Sequence, residues 1–179
     1  MNWHRPQDGF GLYSHSFARA SELLVNHMVD KRQDLDTVIY PALFCFVHFL
    51  ELRLKNVLLQ TFKLGQTSLK TVPRTHNLVH LWRDTCKALK ETFPNTEYDS
   101  VSKLLDSEIS ELSKFGVASE QFRFPQDTKG SPTLSGLERV NVKNLQTAIT
   151  DIIAWLDGLE IALDEAVSSQ LEMEAEYSD

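Results

Sequence analysis

Three ionisable residues, His48, Glu51 and Lys55, recur at helical intervals within the apolar stretch TVIYPALFCFVHFLELRLKNVLLQTFKL, residues 37–64. Wound at about 100° per residue, they share one stripe with Phe44, Leu58 and Phe62. An imidazole, a carboxylate and an ammonium in one row can move a proton, bind an anion or neutralise one another. Arg53, Asn56 and Gln60 fall on the opposite face, where solvent is expected. Polar groups therefore had room outside, and the three that face inward mark where function is to be sought.

Burying such groups is costly unless they pair or hydrogen bond. Glu51 precedes Lys55 by four residues, the favourable order for a helical ion pair. Further partners are expected from RTHNLVHLW, where His76 and Asn77 open a third helix that a short hairpin would lay antiparallel to the second. A later loop, FRFPQDTKG, holds Arg123, Asp127 and Lys129; Phe122, Phe124 and Pro125 would press it onto the bundle and carry Arg123 inward.

Three readings of this cluster stay open. It is a buried ion-pair network that fixes helix register, or a pocket for a phosphate or nucleotide. In the pocket, Lys55 and Arg123 hold charge and His48 or His76 transfers a proton. The third is a metal site, since His48 and Glu51 stand at i, i+3 and His76 and His80 at i, i+4. A two-metal helical site uses two Glu-His pairs with further carboxylates, so no metal and no cofactor is expected. The chain has no glycine-rich phosphate loop, paired CxxC, HExxH or nucleophile elbow.

The elements that must hold these residues are helical. Residues 1–11, with Pro6, Gly9 and Gly11, read as a lead-in. A first helix from Leu12 to Lys31 would turn Tyr13, Phe17, Ala20, Leu24 and Met28 inward, with Ser14 near its cap. The central helix is expected from Val38, capped by Asp36 or Thr37, with Pro41 in its first turn and Gly65 as its stop. A third helix, capped by Thr75 or Asn77, reaches Phe93, and a fourth spans Glu97 to Phe115 with Leu105, Ile109 and Leu112 inward. Residues 118–136 form an aromatic, Pro- and Gly-containing loop. The last helix, Asn141 to Leu171, carries Gly158 where another helix could approach closely, and the acidic tail 172–179 should fray. The result is an all-α, single-domain up-and-down bundle of about five helices, residues 12–171.

Composition agrees with one globular domain: 179 residues, 42% hydrophobic and 24% charged. A net charge of −7 argues against broad attraction to nucleic acid phosphates and leaves only a focused site. Cys45 and Cys86 read as reduced core thiols. The N-terminus lacks a signal pattern, and no apolar run reaches the ~18 residues of a membrane span, so a cytoplasmic protein away from membranes is expected.

Taken together, YPALFCFVHFLELRLKNVLL, RTHNLVHLW and FRFPQDTKG resemble the HEPN-like superfamily (higher eukaryotes and prokaryotes nucleotide-binding domain). The resemblance covers about Asp36 to Gly130 by motif and the whole chain by helix order. It implies a four- or five-helix bundle that forms a homodimer and works in bacterial defence, toxin–antitoxin or RNA-processing systems with a partner protein from the same operon. Catalytic members are metal-independent endoribonucleases in which an arginine and a histidine, four to six residues apart, assist attack of the RNA 2′-hydroxyl on phosphorus. Arg74 and His80 match that spacing and straddle the start of the third helix. The resemblance thus implies RNA or a nucleotide as ligand and adds Arg74 and His80 as candidate catalytic residues to the cluster's own His48 and His76, while the cluster and its expected loop supply Glu51, Lys55, Asn77, Arg123, Asp127 and Lys129 as candidate binding residues. The alternative is a non-enzymatic helical interaction module in which the cluster is structural.

Overall fold

The computed structural model describes residues 9–65, 67–68, 70–94, 99–115, 124–126, 129–133 and 139–177. Among the described residues five helices make up the fold: α1 (Gly9–Lys31), α2 (Leu35–Lys63), α3 (Leu78–Thr92), α4 (Asp99–Phe115) and α5 (Val142–Glu176). Among the described residues the nearest thing to a strand is an isolated bridge between Gln126 and Pro132, in the loop ahead of α5. The expected all-α bundle is the architecture found.

Helix α2 is the hub, with buried residues on every face from Ile39 to Thr61. Its first turn closes before Pro41, because the Thr37 and Val38 amides donate to Asp34 O at 3.1 and 2.8 Å. The helix therefore begins at Leu35, earlier than Val38, and Pro41 is carried in its second turn. An 18-residue stretch of α2 has a mean hydropathy of 1.5, enough by length and composition alone to cross a membrane. That corrects the expectation that no stretch is so apolar; here the helix is packed by α1, α3 and α5.

Helix α1 packs most extensively on α2, and it does so through Ser14, Ala18, Ser21, Val25 and Met28. The expected inward row is rotated: Tyr13 is 63% exposed, while Phe17 and Leu24 lie at the edge of the core. Small residues let the two backbones approach, and the buried hydroxyls of Ser14 and Ser21 are satisfied locally by Gly11 O and Ala18 O, both at 2.8 Å. Ser14 is thus a packing residue within α1, which starts at Gly9.

The third and fifth helices begin on asparagine caps. Asn77 Oδ1 accepts from the His80 amide at 3.0 Å, and Asn141 Oδ1 accepts from the amides of Lys143 and Asn144 at 3.1 and 3.2 Å. Helix α5 runs on to Glu176, so the expected frayed tail is helical over most of its length. Gly158 faces open space, with nothing within 4 Å of an added Cβ among the described residues, so the expected close approach of another helix is not found there.

The direction of α3 differs from the expected hairpin. His76, just ahead of α3, meets Glu51 in the middle of α2, whereas Glu91 near the end of α3 holds Thr67 and Ser68 of the segment that follows α2. The connection from Gly65 to Asn77 therefore returns along the bundle, and α3 runs in the same general sense as α2. It is this return that brings His76 to the polar cluster.

Candidate functional site

Glu51 is 2% exposed and Lys55 8% exposed, so these two of the stripe's three polar groups point into the bundle. Lys55 Nζ donates to Glu51 Oε1 at 2.9 Å. The same oxygen lies 2.8 Å from His76 Nδ1, although the His76 side chain is 63% exposed. A carboxylate that accepts this bond places the imidazole proton on Nδ1 and leaves Nε2 as the acceptor nitrogen. Glu51 Oε2 is buried and makes no hydrogen bond among the described residues.

His48, one turn earlier on α2, is half-buried between two phenyl rings. Phe17 of α1 meets its ring edge-on at 4.5 Å and 90°, and Phe44 stacks on it at 5.7 Å and 7°. The apolar face of α1 thus closes one side of the cluster, and the exposed His76 forms its way out to solvent. Arg74 and His80 are both exposed near the start of α3. Asn77 lies between them, its side chain engaged in capping α3.

The expected loop partners are not seen to join this group. Arg123 and Asp127 lie outside the described residues, as does Phe122. Phe124 is 62% exposed, so it does not press the loop onto the bundle as expected. Lys129 is exposed in the turn where Gly130 takes a φ of 82°.

On the opposite face of α2 the structure overturns a reading of the sequence. Arg53 is 1% exposed, with Nη2 2.7 Å from Asp157 Oδ1, Nη1 against Glu160, and its guanidinium 5.5 Å from the Phe49 ring centre. Burial lowers its pKa, opposed by the charges of Asp157 and Asp164. Asn56 donates to Glu160 at 2.5 Å and Gln60 to Asp164 at 2.6 Å. The Arg53–Asp157, Asn56–Glu160 and Gln60–Asp164 pairs are each separated by 104 residues, so α2 and α5 run parallel in fixed register. The signal for this was present: Arg53, Asn56 and Gln60 repeat the spacing of Asp157, Glu160 and Asp164.

Clefts of about 390, 430 and 340 Å³ occur elsewhere in the bundle, and none of these three is lined by His48, Glu51, Lys55 or His76. Among the described residues no group of three His, Cys, Asp or Glu stands together as a metal ion would require. No protein-family model, curated protein or solved structure matches the chain. What the cluster offers is an exposed imidazole oriented by a buried carboxylate, which is itself neutralised by a lysine one turn away.

Proposed function

We propose that this chain is a HEPN-like, cytoplasmic homodimer that binds RNA or another phosphate-bearing ligand at the start of α3 and cleaves RNA without a metal. The reading rests on one observation, the hydrogen bond between buried Glu51 and exposed His76. A carboxylate on one imidazole nitrogen fixes the ring and its tautomer and supports the imidazolium that forms when the other nitrogen takes a proton.

In this mechanism His76 Nε2 accepts the proton of the ribose 2′-hydroxyl as that oxygen bonds to phosphorus. The bond to the 5′-oxygen breaks, and the departing oxygen takes a proton from a second histidine, His80. The products are a 2′,3′-cyclic phosphate and a 5′-hydroxyl. Arg74 faces the charge on the phosphoryl oxygens, and Lys55 holds Glu51 in place. The exposed Ile161, Leu171 and Met173 of α5 supply apolar surface for the second copy. A role in bacterial defence or a toxin–antitoxin pair, with a partner from the same operon, follows from the family resemblance alone.

A second reading has its own observation. The chain already uses one buried ionic network, at Arg53, to set helix register, and the Glu51–Lys55 pair can serve the same end in a non-enzymatic interaction module. Lys55→Met separates the two. It slows RNA cleavage as well as lowering thermal stability under the first reading, and lowers thermal stability alone under the second.

A further inference from the structure

A different part of the molecule, independent of the polar cluster, has the makings of a small-molecule site. The cleft between α3, α4 and α5 has a volume of about 390 Å³ and a wall formed by Trp82, Cys86, Leu89 and Trp155, a size and character usual for ligand pockets. The two indoles meet edge to face, with centroids 6.1 Å apart and planes at 79°. Trp82 Nε1 donates to Asp106 Oδ1 at 2.5 Å. That bond satisfies the polar edge of the ring and leaves its apolar surface to the cleft.

The cations at this cleft set its preference. Arg83 and Lys90 both line it from α3, two helical turns apart, or ~10.5 Å along the axis. Arg83 has a 70% exposed side chain and reaches Asp84 only at 3.5 Å. Among the described residues the one carboxylate lining the cleft, Asp106, already accepts the indole N–H. Cys86 adds no anion of its own, because burial, with the Asp106 charge beside it, pushes its thiol up to about 11. An aromatic wall with two rim cations, in a chain of net charge −7, selects an apolar body that ends in an anion.

We propose that this cleft binds a small aromatic carboxylate, its rings against Trp82 and Trp155 and its charge at Arg83 and Lys90. The full chain is titrated calorimetrically with 2-naphthoate and, separately, with 2-naphthylmethylammonium, which has a similar body and the opposite charge. The naphthoate is expected to bind one per chain and at least about tenfold more tightly than the ammonium. Exchanging both rim cations, Arg83→Gln with Lys90→Gln, is expected to abolish that preference at unchanged thermal stability, since both side chains are exposed. Cys86→Phe fills the cleft and is expected to block binding, with circular dichroism checking its fold. The proposal is overturned if naphthoate fails to bind at millimolar concentration, if the two probes bind alike, or if the double variant binds naphthoate as the parent does.

Discussion

Glu51 Oε1 and His76 Nδ1 stand 2.8 Å apart, joining a carboxylate side chain that is 3% exposed to an imidazole that is 63% exposed. The pair spans the bundle's interior and its surface, and it exists because the segment after α2 folds back along that helix before α3 begins. Lys55 neutralises the buried end at 2.9 Å. Every functional claim made for the cluster depends on this one connection.

Arg53 is the strongest test of what holds α5 to α2. Arg53→Met leaves the Asp157 and Glu160 carboxylates without their guanidinium, and urea unfolding should show a loss of about 3 kcal/mol. Asp157→Asn should cost less, about 1 kcal/mol, because the Asp157 side chain is 40% exposed and water can replace part of the interaction. Equal and small effects from both changes would show that the register is set by apolar packing.

Gly158 lies inside α5 with open space where a side chain would go. Gly158→Ala should therefore stabilise the protein by about 1 kcal/mol, through helix propensity alone. A loss of stability in thermal unfolding would mean that another chain or segment packs closely there.

Acid should loosen the start of the connection between α2 and α3. The Ser68 amide and hydroxyl donate to Glu91 at 2.7 and 2.9 Å, and the backbone bond first, then the hydroxyl, holds its carboxyl below the usual range. A lowered carboxyl contributes stability that is present above its unfolded pKa and lost as pH falls through the folded one. The difference in melting temperature between the parent and Glu91→Gln should thus be largest at neutral pH and vanish on acidification.

The Cys86 thiol, raised to about 11, should react with iodoacetamide at pH 8 at least about 50-fold more slowly than a free cysteine. Burial is the larger cause and Asp106 the next, so the rate should climb steadily as pH rises toward that value. A rate like that of a free cysteine would place Cys86 in a more open setting than the wall of the α3–α4–α5 cleft.

Much of this architecture could be read from residue order, and the parts that could not share a cause. Leu105, Ile109 and Leu112 face inward as their spacing predicts, and Asn77 caps the helix it precedes, because both features are local. Glu51 and Lys55 were legible for the same reason. Arg53 was not, since α2 is buried on all sides and a helical wheel then has no solvent face against which to place a polar group. Its partners arrive 104 residues later. The sense of α3 was hidden in a connection long enough to return along the bundle, and the row on α1 was misassigned because serine and alanine, chosen for close approach, look less apolar than Tyr13 and Phe17.

The central claim is that buried Glu51 orients His76 for proton transfer to and from RNA, and incubation of single-stranded RNA with the full chain in EDTA measures it most directly. Cleavage is expected, leaving 2′,3′-cyclic phosphate ends. His76→Ala should slow it by about a hundredfold or more with the fold retained by circular dichroism, since Lys55 still neutralises Glu51. RNA left intact by the parent protein, or cut by His76→Ala at the parent's rate, would contradict the account.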